Sequence, residues 1–164
     1  HTLEVLLTLG RTIRPARARD PSVSRKVLSI TGIWVARKYS AMSWAAQELA
    51  ETASDLPAAF TLRFYATRDR QEDLDPINPF LNYGPNHNLH GGRPNWEVIL
   101  MYFLNHAHAT TDGGDSVGVF FCGSPVIARA IRHAAHRITA RHQYSMKKEK
   151  QRCKCAIIVY EENF

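Results

Sequence analysis

Apolar positions along the chain follow two kinds of spacing, and the two kinds alternate. Short apolar runs rich in β-branched residues predict buried strands, whereas apolar residues three and four positions apart predict amphipathic helices. Strands are predicted over residues 27–36, 60–67, 117–121 and 156–160. Helices are predicted over residues 1 to about 13 (from Leu3, Leu6, Leu7 and Ile13), after Ser40, from Trp96 and from Pro125.

Two of these helices have predicted inner faces. The helix after Ser40 is expected to bury Trp44, Ala45 and Leu49. Ser124 suits the N-cap of the last helix and Pro125 its first position. The apolar stripe of that helix is predicted to comprise Val126, Ile127, Ala130, Ile131, Ala134 and Ile138.

Loops are predicted where proline, glycine and charge interrupt the patterns, at residues 14–24, 68–90, 110–115 and 141–152. The alternation of strands and helices predicts an α/β, Rossmann-like parallel sheet with helices on both faces. Ligands of such sheets bind beyond the carboxyl ends of the strands. Candidate chemistry is therefore sought at those ends.

Composition agrees with one compact domain. The chain has 164 residues, of which 45% are hydrophobic and 22% charged, and no apolar run approaches the length of a membrane span. Its net charge of +6 is concentrated in residues 11–26 and 129–154. These blocks indicate either solvated faces or an anionic partner. They lack interleaved aromatic residues, so no nucleic-acid partner is predicted.

Cysteine and histidine positions do not predict a metal centre. Three cysteines without paired spacing argue against a disulfide framework and for a reducing compartment. Cys153-Lys154-Cys155 lacks the two-residue spacer that is usual in a zinc half-site. His133 and His136 have no carboxylate at ligand spacing. We therefore predict that the chain has no metal site.

Two predicted strand ends, at Arg37 and Cys122, and one predicted helix start, at Arg93, carry candidate binding residues. Cys122-Gly123-Ser124-Pro125 ends a predicted strand and opens a helix, where a glycine and free N–H groups admit a ligand. The alternative is an ordinary turn with a buried thiol. Arg37 and Arg93 offer planar forks that match a phosphate, or they are solvated surface residues. In a dinucleotide fold, an arginine placed like Arg37 selects the 2′-phosphate of NADP.

Four segments together resemble one family. They are Trp34-x-x-Arg37 with the later Trp44, the stretch Gly92-Arg93-Pro94-Asn95-Trp96, the stretch Val117-Gly118-Val119-Phe120-Phe121-Cys122-Gly123-Ser124-Pro125, and the aromatic end Glu162-Asn163-Phe164. In order and approximate spacing they are similar to the C-terminal NADPH-binding domain of NADPH oxidases, in the respiratory burst oxidase and ferric reductase superfamily.

The resemblance implies a fold, an activity and a site. The fold is the ferredoxin-reductase type of NADP-binding domain. The activity is transfer of electrons from NADPH to FAD, then through haem to oxygen, giving superoxide or hydrogen peroxide. Arg37 and Arg93 would contact the 2′-phosphate side, and Thr67 would lie near the nucleotide. Cys122, Gly123 and Pro125 would border the nicotinamide, and Phe164 would cover the flavin ring, so that Cys122 and Phe164 act at the reacting groups.

The same resemblance implies what accompanies the chain. We expect residues 1–164 to be an N-terminally truncated NADPH-binding domain, lacking its first strand and glycine-rich loop and inactive alone. FAD and haem would belong mainly to upstream flavin and transmembrane domains of the same protein. The domain would lie at the cytoplasmic face of a membrane and meet regulatory proteins there. Two alternatives are a ferric-chelate reductase and a non-catalytic binding module whose basic loop, residues 141–152, holds anionic lipid or a regulator.

Overall fold

The computed structural model describes residues 3–10, 27–51, 60–81, 87–110, 116–149 and 153–162. Strands and helices alternate along most of this chain. The strands are β1 (Leu3–Gly10), β2 (Val27–Ala36), β3 (Phe60–Ala66), β4 (His87–Gly91), β5 (Ser116–Cys122) and β6 (Ile157–Glu162). The helices are α1 (Ser43–Glu51), α2 (Gln71–Leu74), α3 (Trp96–Thr110) and α4 (Pro125–Lys148), with short 3₁₀ helices at Tyr39–Ala41 and Asp75–Ile77.

The described strands form one six-stranded sheet in the order β4-β3-β2-β1-β5-β6. Strands β2, β3 and β4 pair in parallel, as do β5 and β6. Strand β1 is antiparallel to both of its neighbours, β2 and β5. Strands β2 to β6 consequently all point the same way. The predicted α/β class, with parallel strands and covering helices, is confirmed.

The predicted helix over residues 1–13 is wrong, because Leu3–Gly10 is a strand at the centre of the sheet. Leucines and valines in this segment are almost continuous, and periodicity alone does not separate such a run from a buried helix. Pairing decides the matter. Leu7 lies opposite Thr31 of β2 on one side and opposite Val119 of β5 on the other.

Helices cover both faces of the sheet, and each face has its own apolar core. On one face, α3 and α4 place Leu100, Leu104, Ile131 and Ile138 against side chains such as Val119. On the other face, Met42 just before α1, Ala46 of α1, and Leu74 and Phe80 after β3 pack with Leu62, Phe64 and Leu89. Along each strand, alternate side chains therefore enter opposite cores.

Two predicted inner faces need correction. Trp44 is 63% exposed, and Met42, Ala45, Ala46 and Ala50 are buried around it. Val126 is 71% exposed, and the buried stripe of α4 consists of Ala128, Ile131, Ala134, Ala135 and Ile138. Alanines make up much of both buried faces, joined in α4 by Ile131 and Ile138. Large apolar residues of the first turns remain outside.

Two predicted loops are partly regular. Residues 68–90 contain α2, a 3₁₀ turn and most of edge strand β4, whose sequence His87–Gly91 holds one aliphatic residue, Leu89, and therefore gives no strand pattern. Residues 141–148 continue α4, so the basic segment is mainly helical. Lysine and arginine are good helix formers, and Lys147 and Lys148 also suit the negative end of the helix dipole.

Candidate functional site

One edge of the sheet gathers the strand ends. Because β2 to β6 are codirectional, their carboxyl ends lie along the same edge. Arg37 follows β2, Thr67 follows β3, and Arg93 lies two residues beyond β4. Cys122 ends β5, with Gly123 and Pro125 directly after it. The predicted site residues at these positions therefore share one edge, while Phe164 lies outside the described residues.

Backbone hydrogen bonds hold the first three strand ends in a fixed relation. The Thr67 N–H donates to the Ala36 carbonyl at 2.9 Å, and the Arg68 N–H donates to the Arg37 carbonyl at 2.9 Å. The Gly92 N–H donates to the Ala66 carbonyl, also at 2.9 Å. The ladder thus continues past the strands, and the loops that carry the two predicted arginines are extensions of one rigid sheet.

Asp69 adds a side-chain link between two of these loops. Its Oδ2 accepts the backbone N–H of Tyr39 at 2.7 Å. Tyr39 is itself buried, and burial raises the pKa of its phenol. This hydrogen bond places the turn after β2 against the turn after β3. Asp69 was not among the predicted site residues, because the local sequence does not indicate a hydrogen bond to Tyr39, which lies 30 residues earlier in the chain.

Gln71 fastens the end of β4. Its Oε1 accepts the Gly91 N–H at 2.7 Å, and its Nε2 donates to the Leu89 carbonyl at 3.1 Å and to Asp75 Oδ1 at 2.8 Å. An edge strand has unpaired backbone groups, and the Gln71 amide satisfies two of them. The position of Arg93 therefore depends on the first helical turn after β3.

The Gly-Arg-Pro-Asn-Trp stretch forms the turn between β4 and α3. Gly92 has a φ of 88°, in the left-handed region that favours glycine. Asn95 caps α3, since its Oδ1 accepts the Val98 N–H at 3.2 Å. Trp96 packs against the apolar core. The local structure accounts for these three residues, whereas the exposed side chain of Arg93 extends from the same turn.

Cationic side chains gather at the edge formed by the ends of β2, β3 and β4, although the carboxylates of Asp69, Glu72 and Asp73 lie in the adjoining turn and helix. Five exposed cationic side chains lie on this edge, namely Arg37, Lys38, Arg68, Arg70 and Arg93. We call these five residues the basic edge. Only Arg37 and Arg93 were predicted as site residues. Arg68 and Arg70 fell in a predicted loop, but the short turn into α2 brings them beside the strand ends. Such a cluster attracts phosphate groups.

The Cys-Gly-Ser-Pro turn lies at the other part of the edge. Cys122 is half-buried and lies in register with Glu162 of β6 and Glu4 of β1. Gly123 has a φ of 144°, a conformation that side chains rarely adopt. Ser124 caps α4 by accepting the Val126 N–H at 3.3 Å, and Pro125 follows, so both predictions for this cap are confirmed.

The two halves of the edge are separated by strand β1. With strands about 4.8 Å apart, the ends of β2 and β5 are about 10 Å from each other. Helices α3 and α4 both begin at this edge, so their positive dipole ends face it. An anionic, extended ligand can lie along the edge with phosphate on the basic edge and a ring near Cys122.

A comparison with protein families decides the class of this domain. The family model described as the ferric reductase NAD binding domain matches residues 2–136. The chain belongs to this family. No curated protein and no solved structure matches the chain.

Membership in the ferric reductase NAD-binding family gives the class of chemistry of the domain. The domain is an oxidoreductase module, and its cofactor is a nicotinamide nucleotide. The resemblance to the NADPH oxidase and ferric reductase superfamily is thereby confirmed at the level of the domain. Within the described residues, no helix is both long and apolar enough to cross a membrane.

Proposed function

We propose that this chain is the NADPH-binding domain of a membrane NADPH oxidase. When bound, NADPH supplies a hydride to FAD, and haem carries the electrons on to oxygen, which gives superoxide or hydrogen peroxide. The observation that carries the choice of NADPH is the basic edge, where Arg37 and Arg93 follow the two strands that flank β3, and backbone hydrogen bonds tie both strand ends to the end of β3. A nucleotide without a 2′-phosphate lacks the group that the guanidinium groups of Arg37 and Arg93 would bind.

In this proposal, different residues of the edge bind different parts of the nucleotide. Arg37 and Arg93 bind the 2′-phosphate, and Thr67, between them, lies under the adenosine side. Cys122, Gly123 and Pro125 border the nicotinamide, because the glycine has no side chain and lets the ring approach the backbone. Cys122 limits how deep the ring enters, and so sets the position of the carbon that gives up the hydride. Phe164 would cover the flavin until the nicotinamide displaces it, as the resemblance to the oxidases implies.

The partners in this proposal are the flavin and haem domains of the same protein, together with regulatory proteins. The domain would lie at the cytoplasmic face of the membrane that holds the haem. The five cations of the basic edge suit an anionic dinucleotide, and no nucleic-acid partner is proposed.

A second candidate is the nucleotide domain of a ferric-chelate reductase. The description of the matching family favours it, since that description names ferric reductase. The two candidates share NADPH, FAD and every residue of the edge. They differ in the acceptor that the haem side reduces. The stretch Gly92-Arg93-Pro94-Asn95-Trp96, which resembles the oxidases, favours oxygen.

The acceptor is best determined with the full-length protein in membranes. With NADPH, we expect flavin reduction followed by cytochrome c reduction that superoxide dismutase suppresses, or by hydrogen peroxide. The isolated 164-residue chain should bind NADPH without oxidising it. Dominant reduction of a ferric chelate under anaerobic conditions, with slow oxygen consumption in air, would favour the second candidate. Oxidation of NADPH by the flavin-free chain would contradict both.

Enlarging Cys122 should stop hydride transfer. In the full-length protein we expect Cys122→Phe to reduce the rate of flavin reduction at least about 100-fold, because a displacement near 1 Å is that costly. Cys122→Ser, the control of matched size, should keep most of the rate. Stopped-flow flavin absorbance measures both variants, with thermal melting alongside. A stable Cys122→Phe protein with normal rates would remove Cys122 from the nicotinamide site.

Deleting Phe164 should alter how the protein distinguishes nucleotides. If its ring stacks on the flavin, removal lets both NADPH and NADH reach the flavin, and the preference for NADPH measured from kcat/KM should fall. Domain stability should stay nearly unchanged, since the last residue of a chain adds little to folding. Phe164→Tyr is the control that keeps a ring. Unchanged rates and unchanged preference after deletion would make the terminal ring a dispensable end.

A further inference from the structure

A second group of chemically reactive side chains lies away from the strand-end edge. It comprises His108 in the last turn of α3, His142 in α4, and Cys153 and Cys155 just before β6. One ligand atom from each of the four residues lies within 4.8 Å of all the others. Cys155 is fully buried, and the other three side chains are half-buried. We call these four residues the His-Cys cluster.

The spacing within the His-Cys cluster is close to that of a tetrahedral metal site. The Nε2 atom of His142 lies 3.3 Å from Cys153 Sγ, and the Nδ1 atom of His108 lies 3.9 Å from Cys155 Sγ. Zinc bonds of about 2.3 Å to sulfur and about 2.0 Å to nitrogen place neighbouring ligand atoms about 3.3–3.8 Å apart. Shifts of less than about an ångström would therefore bring the four atoms onto one ion.

We propose that the His-Cys cluster binds one Zn²⁺ ion. Two thiolates with two imidazoles form the ligand set that borderline-soft zinc prefers in structural sites. Magnesium and calcium prefer oxygen ligands, and the four converging atoms are nitrogen and sulfur. Two thiolate charges also balance the charge of the ion, so the bound site is neutral and suits its partly buried position.

Hydrogen bonding alone explains this convergence less well. Thiols are weak donors and weak acceptors, so a His-Cys contact gains little in a site that must be desolvated. Cys153 Sγ also accepts the Cys155 N–H at 3.3 Å, which holds that sulfur at its position beside His142.

The location of the cluster indicates a structural role for the zinc. Helix α3 begins at the strand-end edge and ends just past His108, and Cys153 and Cys155 precede β6, so the cluster lies at the opposite edge of the sheet. Four protein ligands close the coordination sphere and leave no position for a substrate. The ion would join the end of α3, the later turns of α4 and the start of β6. Strand β6 in turn leads to the chain end that carries Phe164.

The test begins with the 164-residue chain, purified with a cleavable tag and without chelators. Elemental analysis should find about one zinc per chain, as a closed site requires. Cys153→Ser and His142→Gln, both at half-buried positions, should weaken zinc binding at least about 100-fold, since losing even an outer-shell partner costs 10–100-fold. Cys122→Ser and His136→Gln are the matched controls, and both should retain the metal.

A second measurement does not depend on how well the variants fold. Cobalt added to the metal-free wild-type chain should give the intense visible bands of tetrahedral coordination and a thiolate charge-transfer band. In the zinc-loaded chain, Cys122 should be the thiol that reacts readily with a thiol reagent, and chelation should expose Cys153 and Cys155 as well. A tetrahedral cobalt spectrum in the wild-type chain, together with protection of Cys153 and Cys155 by zinc, would support the proposal.

Three outcomes would overturn the zinc site. The first is a wild-type chain that holds no zinc and gives no tetrahedral cobalt spectrum under reducing conditions. The second is zinc retained at full affinity by the Cys153→Ser, His142→Gln double variant. The third is a disulfide between Cys153 and Cys155 in freshly purified chain kept under reductant, detected by mass spectrometry, because its sulfurs would be unable to act as thiolate ligands.

Discussion

The Arg37→Ala, Arg93→Ala double variant is expected to bind 2′,5′-ADP about 10²–10⁴-fold more weakly than the wild-type chain, because each charge-assisted contact to phosphate contributes about 1.5–3 kcal/mol. The ligand carries the 2′-phosphate of NADPH but has no nicotinamide, so the measurement needs no flavin. Titration calorimetry on the 164-residue chain gives the affinity. Each single variant should show about half of the loss in free energy.

Two controls separate the 2′-phosphate from general electrostatics. The affinity for 5′-AMP should change little in the double variant, because that ligand lacks the group that the two arginines bind. Arg141→Ala removes an exposed arginine from α4, away from the basic edge, and should leave both affinities unchanged. Equal losses for 2′,5′-ADP and 5′-AMP would contradict the assignment of these arginines to the 2′-phosphate.

Local pattern was sufficient for the elements that carry the edge. β2 was predicted with its observed bounds, and the α4 cap at Ser124 and Pro125 was predicted residue by residue. Each of these features depends on neighbours in sequence, such as a β-branched run or a hydroxyl before a proline. The two strands that were not predicted, β1 and β4, depend on pairing with strands distant in sequence. β1 is a strand because β2 and β5 flank it, and β4 is a strand because β3 has an open side.

The site could be predicted as far as topology reaches. Parallel strands place their ends together, so Arg37, Thr67 and Cys122 were expected at one edge, and the structure places them there. Arg93 was predicted from its position before a helix, and the unpredicted strand β4 brings it to the same edge. Topology does not reveal which side chains lock that edge. The hydrogen bonds of Asp69 and Gln71 span 30 and 20 residues respectively, and no local signal marks them. The roles toward NADPH that were predicted for Arg37, Thr67, Arg93 and Cys122 remain predictions.

The His-Cys cluster was missed for the same reason. In sequence, Cys153-Lys154-Cys155 departs from a two-residue-spaced half-site, and histidines close to one another along the chain lack further ligands. His108 and Cys155 are 47 residues apart, and each alone is an ordinary residue. The ligand set becomes visible only when α3 and α4 pack side by side. The prediction that the chain has no metal stays open to the zinc measurement.

Gly91 is the position where a single methyl group should damage both the fold and the site. A Cβ added there would lie 2.6 Å from the Gln71 backbone nitrogen, 2.8 Å from the Arg70 carbonyl carbon and 2.9 Å from the Asp69 carbonyl oxygen. These atoms are backbone, so a rotamer change cannot relieve the contact. We expect Gly91→Ala to lower the free energy of unfolding by about 1–3 kcal/mol, as overpacking does. For a domain of this size, the melting temperature should fall by about 2–12 °C.

The neighbouring glycine separates overpacking from backbone strain. A methyl group added at Gly92 would meet no other atom within 4 Å, and the φ of 88° is the feature that disfavours other residues there. Asparagine tolerates such a conformation better than alanine does. Gly92→Asn should therefore retain most of the stability, whereas Gly91→Asn should lose at least as much as Gly91→Ala.

Binding measurements on the same variants connect this packing to the nucleotide. The end of β4 holds Arg93, and the Gly91 N–H is held by Gln71, so forcing the two segments apart should move Arg93 away from the basic edge. Gly91→Ala should then weaken 2′,5′-ADP binding more than 5′-AMP binding, as removal of Arg93 does. Normal melting and normal 2′,5′-ADP affinity in Gly91→Ala would show that the turn before α2 yields to a methyl group, and that the position of Arg93 does not depend on it.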